Sequence, residues 1–400
     1  MSFTNIQEDR YAQVLLWALK TARKGYYKKN DIVLVHYDPA ALRIAEILQA
    51  RLLDMGLNPI PRMGLTSTME RNFFEKANNR QLIFQAPGQE ELCKNLNGSI
   101  YLYAPESLTH LGDIDPKKIG KAALARKPLR DILNRREEKG KFGWTLCMTP
   151  TPELAKQAKL TMRQYTTQVV KACHLGKRDP VKEWKTIYKN ATAIKNWLNS
   201  MEVRHYHIES ENMDLKIDPG KKRKWVGISG HNIPSFEIFL SPDWRGTEGI
   251  YFANQPSFRS GNYVEGVRIE FRKGSIFKTE ARKGGDFLLK QISMDSGARR
   301  VGEFSLTDKR FSGIDKFMAN TLFDENHGGL YGNCHLALGS SYSDTYDGDP
   351  SELTKEKKKR LGFNDSALHW DLVNTEKKRV TALLRSGKKI IIYENGLFKY

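Results

Sequence analysis

Apolar residues in the first third of the chain follow two alternating rhythms. Short apolar runs at residues 31–37 (DIVLVHY), 58–64 (NPIPRMG) and 98–105 (GSIYLYAP) read as strands, and the amphipathic stretch 40–56 (AALRIAEILQARLLDMG) reads as a helix. Residues 143–160 (GWTLCMTPTPELAKQAKL) repeat the scheme as an apolar strand, a turn at Thr151 and Pro152, and a helix. Such alternation is the mark of a mostly parallel sheet with helices on its faces. A largely helical stretch, including DPVKEWKTIYKNATAIKNWLNSM, then runs to about residue 200. No Gly-rich phosphate loop follows any of these strands, so no nucleotide site is expected.

From about residue 203 the rhythm shortens to period two: RHYHIES, KWVGISG, FEIFLSP, GIYFANQ and VRIEFRKGSIF read as strands separated by Gly- and Pro-containing turns. That is antiparallel patterning. The change falls within residues 178–203, and the boundary is drawn between 190 and 191. The expectation is an N-terminal α/β domain (1–190) with a mostly parallel sheet and a C-terminal α+β domain (191–400) with a mixed or antiparallel sheet. No internal repeat or long low-complexity tract interrupts either part.

Composition narrows the class without naming a function. A chain of 400 residues, 40% hydrophobic, can bury substantial cores. No apolar run approaches the ~20 residues that cross a bilayer, and the first residues lack a basic segment followed by an apolar one, so the expectation is a cytoplasmic protein with no membrane partner. Cys93, Cys147, Cys173 and Cys334 form no C-x-x-C pair, which fits reduced thiols. Lys and Arg exceed Asp and Glu by 65 to 46, a formal net charge of +19. The densest basic runs, 220–225 (GKKRKW) and 355–360 (KEKKKR), belong to no helix-turn-helix, zinc-finger or RNA-recognition signature. They read as solvated loops, and no specific nucleic-acid partner is expected.

Chemistry-capable side chains collect in the second part. In residues 367–373 (ALHWDLV), His369 and Asp371 share one face of a strand while Leu368, Trp370 and Leu372 take the other. An imidazole and a carboxylate on one face suit a metal ion, although an isolated His-x-Asp is more often a satisfied hydrogen-bonded pair. Glu237 opens an apolar strand in NIPSFEIFLSP, and Glu303 follows what reads as a glycine turn in RRVGEFSL. LFDENHGG carries Asp324 and Glu325, and GNCHLALGSSY carries His335 and Tyr342. This density of acids and histidines within 135 residues is the ligand mixture of a two-metal, oxygen-rich site. Other histidines favour blander roles: His205 and His207 as strand residues, His327 in a turn, and His231 behind the ligands near Glu237. Phe239 and Trp370 read as core.

These segments resemble the aminopeptidase T and aminopeptidase S family of two-metal exopeptidases, which shows N-I-P-x-x-E-x-F, G-E, D-E-N, G-x-x-H-x-A-x-G-x-x-Y and H-x-D in that order. All five are present, and GWTLCMTPTPELA and DPVKEW extend the likeness into the first part. Ser235 and Phe236 stand where many members carry small residues. The resemblance implies an N-terminal α/β domain and a C-terminal metallopeptidase domain, pairing into a homodimer, and a metal-dependent aminopeptidase acting on peptides. It implies two divalent cations (zinc, cobalt or manganese) on Glu237, Glu303, Glu325, His335, His369 and Asp371. Glu303 is assigned to move the water proton, and Tyr342 to donate to the oxyanion. Which carboxylate bridges the cations stays open. The alternative is a mononuclear iron ring-cleaving dioxygenase of the same fold, which needs fewer carboxylates; a basic nucleic-acid-binding protein is a third class, permitted by the charge and supported by no motif.

Overall fold

The computed structural model describes residues 3–400, which form two compact units. One unit takes in the chain up to Thr186 together with Ile228–Ser235, and the other consists of Ile187–Gly227 and Phe236–Tyr400. Strands are numbered along the chain.

In the first unit, β1 (Ile32–Tyr37), β2 (Asn58–Met63), β3 (Gly98–Tyr103) and β4 (Gly143–Met148) form a parallel sheet in the order β2-β1-β3-β4. The alternating strand and helix pattern of the sequence is realised here. The helix Asn5–Thr21 buries Tyr11, Val14, Leu15, Ala18 and Leu19, an i, i+3, i+4, i+7, i+8 stripe that faces one core. Tyr11 donates from its hydroxyl to the Met148 carbonyl at 3.0 Å, fixing the helix to the end of β4. A fifth strand of two residues, β7 (Asn232–Ile233), pairs parallel to β4 and is too short to carry a sequence signal. Next to it stands His231, which the sequence placed behind the ligands. Its Nε2 lies 2.7 Å from Glu137, its Nδ1 2.6 Å from the Ser229 hydroxyl, and its ring packs on Trp144. Both ring nitrogens are engaged within this unit.

The second unit contains two larger antiparallel sheets. The first runs β13-β12-β9-β6-β5-β17-β18-β19, comprising β5 (Val203–Ser210), β6 (Asp214–Ile217), β9 (Glu248–Ala253), β12 (Val267–Arg272), β13 (Ser275–Glu280), β17 (Lys378–Leu384), β18 (Lys389–Glu394) and β19 (Leu397–Phe398). A small hairpin joins β10 (Ser257–Arg259) and β11 (Asn262–Val264). The second large sheet runs β16-β15-β14-β8, from β8 (Glu237–Leu240), β14 (Val301–Thr307), β15 (Asn333–Gly339) and β16 (His369–Asn374).

Two local expectations fail for a shared reason. KWVGISG makes no strand, only an isolated bridge at Val226, because Gly227 (φ 145°) and Ile228 (φ 53°) turn the backbone out of the β region. A Cβ on Gly227 would collide with the Glu237 carbonyl oxygen. Glu303 likewise follows no turn: it lies inside β14, beside a register shift between Val301 and Glu303. Gly302 is there because a Cβ would strike the carbonyl oxygens of Gly339 and Ser340. In both places glycine marks a close backbone approach.

One face of the four-stranded sheet is apolar. Phe304, Leu306, Leu336, Leu338, Trp370 and Leu372 are buried along it. Trp225 stacks edge-on between Tyr206 of β5 and Phe304, and donates from its indole nitrogen to the Tyr206 hydroxyl at 2.8 Å. The hydroxyls of Tyr251 (β9) and Tyr393 (β18) donate to the backbone carbonyls of Leu372 and Thr307 at 2.5 and 2.7 Å. Apolar packing and these buried hydroxyls together hold the two sheets face to face. Phe304→Ala should therefore cost about 3–5 kcal/mol of stability. Denaturant titration checks this, and a loss below about 1 kcal/mol would mean that Phe304 is not central to the interface.

Candidate metal centre

The other face of the same sheet carries the chemistry. Pairing is in register, so residues directly opposite share a face: Glu303 of β14 faces Ala337 of β15, which faces Asp371 of β16. One step along, Ser305 faces His335, and Thr307 faces Glu237 at the start of β8. His369 stands two residues before Asp371, opposite Gly339. Period-two alternation on four neighbouring strands thus gathers Glu237, Glu303, His335, His369 and Asp371 over a floor of small residues, with Ala337 in the middle.

Ligand-capable atoms of Glu237, Glu303 and His335 all lie within 4.8 Å of one another. His335 Nε2 is 3.0 Å from Glu303 Oε1, 3.5 Å from Glu237 Oε2 and 3.8 Å from Asp371 Oδ1. His369 Nε2 is 3.3 Å from Asp371 Oδ1 and 3.8 Å from Glu303 Oε2. The two oxygens of Glu303 therefore address different imidazoles. His369 Nδ1 donates to the Ser340 carbonyl at 2.9 Å, which fixes the ring so that Nε2 points into the cluster.

Glu325 joins from the end of the short helix Thr321–Asp324. Burial, then the charges of Glu237, Asp371, Glu303 and Asp324, push its carboxyl well above the usual range. Asp324 instead closes the turn. It accepts from the backbone N–H groups of Met318 (2.7 Å) and Asn320 (2.9 Å), and burial pushes it up to about 8. The Tyr342 ring lies 4.7 Å from that of His369 and 5.9 Å from that of Phe239. Although 37% of Tyr342 is exposed, burial around its phenol and the four carboxylates keep it protonated. All seven expected site residues are thus brought to one region of the second unit, five by direct contact, Glu325 by its field and Tyr342 by ring contact.

Three supporting residues were not singled out from the sequence. Asn326 Oδ1 accepts from Phe236 N at 2.5 Å while its Nδ2 donates to the Leu322 carbonyl at 3.0 Å, tying the entry of β8 to the helix that presents Glu325. Thr307 donates from its hydroxyl to the Glu325 carbonyl at 3.2 Å. Ala337 supplies space. The Asn of the D-E-N segment and the Ala two residues after His335 were the available signals.

The donor set fits divalent cations. Four carboxylates and two imidazoles converge in a largely buried space, and concentrated negative charge away from water is costly unless a cation offsets it. The histidines register that charge. Burial opposes their protonation, but the Glu303 hydrogen bond with Glu237 and Asp371 lifts His335 to about 9. Asp371 and Glu303 do the same for His369, also to about 9. Asp371 in turn resists its own burial and is held well below the usual carboxylate range by His369, His335 and Arg259. Carboxylate oxygens mixed with imidazole nitrogens suit zinc, cobalt or manganese.

Two outcomes follow. With both imidazoles raised to about 9, the metal-free protein holds those protons at neutral pH, and a cation must expel them. Metal affinity should then climb by about tenfold per pH unit for each proton released, from pH 6.5 upward, and level off above about 9. Chelator-competition titrations measure this; a flat affinity between pH 6.5 and 8.5 would contradict it. Ala337→Leu leaves every charged group in place and fills the centre of the floor, so metal retention should fall by at least tenfold while unfolding stays cooperative; full retention would show that metal does not sit over β15.

Comparisons with known proteins bear on the family and the fold. Residues 4–398 match the sequence model of a family described as thermophilic metalloprotease (M29). Aminopeptidase AmpS of Bacillus subtilis is 27% identical over 332 residues, 78% of this chain and 79% of its own length. Aminopeptidase T of Thermus aquaticus is 27% identical over 305 residues, 72% of each chain. The solved structure of wild-type AmpT from Thermus thermophilus superposes with a TM-score of 0.76 at 20% identity, over 98% of this chain and 99% of that one, so the two share a fold. The family match spans nearly the whole chain and the site offers a metal-ligating face, and the chain accordingly belongs to the thermophilic metalloprotease family M29, a family of peptide-bond hydrolases.

Proposed function

We propose that this protein is a metal-dependent aminopeptidase that releases N-terminal residues from peptides, using two divalent cations held by Glu237, Glu303, Glu325, His335, His369 and Asp371. The observation that carries the two-cation reading is Glu303, whose Oε1 is 3.0 Å from His335 and whose Oε2 is 3.8 Å from His369. A carboxylate that turns a separate oxygen to each of two imidazoles stands between two groups of ligand atoms, and two cations there would need such anions around them to offset their mutual repulsion. Five ligand groups in contact, with Glu325 beside them, exceed what a mononuclear iron dioxygenase requires, so that alternative has no support in the geometry. The relatives named aminopeptidase motivate the N-terminal specificity.

When bound, the cations would supply a water acidic enough to react at neutral pH and would polarise the scissile carbonyl. The chain's own residues do the rest. Glu303 takes the water proton and returns it to the leaving amine. Tyr342, kept protonated by its surroundings, donates its phenolic hydrogen to the oxyanion. Pairing into a homodimer and a cytoplasmic setting belong to the same reading. The four unpaired cysteines, three of them buried, suit a reducing compartment. Sedimentation tests the first, since a monomer at micromolar concentration would remove it, and cell fractionation tests the second.

Chelation should abolish hydrolysis of aminoacyl chromogenic substrates, and readdition of zinc, cobalt or manganese should restore it, with two cations bound per chain by elemental analysis. Activity that survives chelation, or saturation at one iron with ring cleavage, would sink the proposal. Glu303→Gln should lower kcat by roughly 10²-fold or more and weaken metal retention. Tyr342→Phe should also lower kcat by roughly 10²-fold, but with both cations retained, because its hydroxyl acts outside the coordination shell. If Glu303→Gln kept kcat and metal content within about twofold of the parent, Glu303 would be a structural acid.

A further inference from the structure

The two densest basic runs, far apart in sequence, meet in the second unit. Lys224 N donates to the Thr345 carbonyl, Asp347 N donates to the Lys222 carbonyl, and Arg223 bridges Tyr346, so residues 222–224 lie along the loop that follows Tyr342. Arg223 is the strut. It donates to the carbonyls of Lys221 and Leu361, both at 2.9 Å, and its guanidinium sits 3.4 Å over the Phe363 ring. Tyr346, Leu353 and Phe363, with Leu361 against them, form the apolar plug that holds this loop and the helix Lys355–Leu361 together. The result is one ridge from two distant segments. Residues 220–225 and 343–361 bring nine basic side chains against five acidic ones, and Lys221, Lys222, Lys355, Lys359 and Arg360 are exposed.

The ridge is anchored to the same residue as the candidate oxyanion donor. Ser241, buried just after β8, accepts from Arg223 Nε on its carbonyl at 2.7 Å and from Tyr342 N on its hydroxyl at 2.8 Å. Residues 222–224 thus run alongside residues 345–347, within a few residues of Tyr342. An extended peptide covers roughly 10–14 Å in three to four residues, so a chain whose first residue lies at the metal centre can lay its next few residues toward the ridge.

We infer that this ridge receives the carboxylates of the downstream part of a peptide substrate, and that the enzyme's preferred class is peptides carrying Asp, Glu or a free C-terminal carboxylate about three to five residues past the cleaved bond. The inference rests on the aminopeptidase reading and adds a specificity to it. Exposed lysines act here through summed field rather than single ion pairs, each of which is weak, so the effect belongs in KM and in salt dependence. A peptide carboxylate is favoured over a phosphodiester backbone because the ridge is tied to the Tyr342 loop, beside the site where a peptide would be held.

The test uses the metal-loaded full chain and seven-residue peptides with one common N-terminal dipeptide, bearing either Glu or Gln at positions four to six and either a free or an amidated C-terminus. At low salt the Glu peptides should show a KM about five- to tenfold below the Gln peptides at similar kcat, and the free-acid peptides should show a smaller advantage over the amides. Both advantages should vanish near 1 M salt, where the Debye length is about 3 Å, and in Lys221→Ser/Lys222→Ser/Lys359→Ser. That variant should hydrolyse aminoacyl chromogenic substrates at the parental rate. Equal KM for Glu and Gln peptides overturns the inference, as does a variant that loses salt-sensitive retention of single-stranded DNA with peptide kinetics unchanged. Should no peptide be cleaved, the aminopeptidase reading fails by itself. Fluorescence anisotropy with the labelled Glu peptide then decides the ridge: salt-sensitive binding lost in the triple variant upholds it, and unchanged binding overturns it.

Discussion

Three carboxylates held together on the buried face of one sheet, with Glu325 brought up beside them from a helix end, set the terms for the rest of the second unit. Such a cluster is repulsive, and its members persist only where the backbone gives them no way to separate. Four antiparallel strands provide that restraint, since a strand locked into its ladder on both sides cannot rotate a side chain off its face without losing register. Glu303 and His335 come from β14 and β15, the two inner strands, whose backbones are paired on both sides. Outer strands contribute Glu237, His369 and Asp371, and these receive extra ties: Asn326 holds the entry to β8, and the Ser340 carbonyl orients His369. The apolar reverse face then supplies the cohesion that a polar face cannot.

Much of this was legible because period-two alternation is a property of the backbone rather than of a particular fold. His369 and Asp371 had to share a face in any strand, and the strands β8 and β16 lie where the apolar runs placed them. Parallel strands of the first unit were equally clear, since each is a short apolar run bounded by turn residues. What the pattern concealed were glycines. Gly302 and Gly227 read as turn or strand material, but each lies where another backbone passes too close for a Cβ, and a contact between distant segments has no local signature. The strand Asn232–Ile233 was missed for a similar reason: two residues carry no period, and only pairing with β4 makes them a strand.

Individual residues were easier to find than the parts they play. Asp324 and Glu325 are adjacent acids in one turn, yet Asp324 binds two backbone N–H groups and closes the turn, whereas Glu325 faces the other carboxylates. Nothing in their spacing separates them; the direction of the helix end does. His231 and His369 show the same division, since both are histidines near a strand, but His231 is engaged at both nitrogens and His369 at Nδ1 by a carbonyl that leaves Nε2 aimed inward.

The distribution of charge closes the physical picture. A net charge of +19 belongs to a chain whose buried centre is strongly negative, so the positive excess lies outward of the ligand cluster. Separation of this kind lets each part keep its own dielectric: interior carboxylates act on their ligands at short range with little screening, while surface lysines act through water and weaken with salt. Ser241 stands at the junction, one end of the residue fixing Tyr342 and the other fixing Arg223. Because a single buried serine ties both, the segment carrying Tyr342 and the basic ridge cannot drift independently, and a shift of the loop after β8 moves the two together.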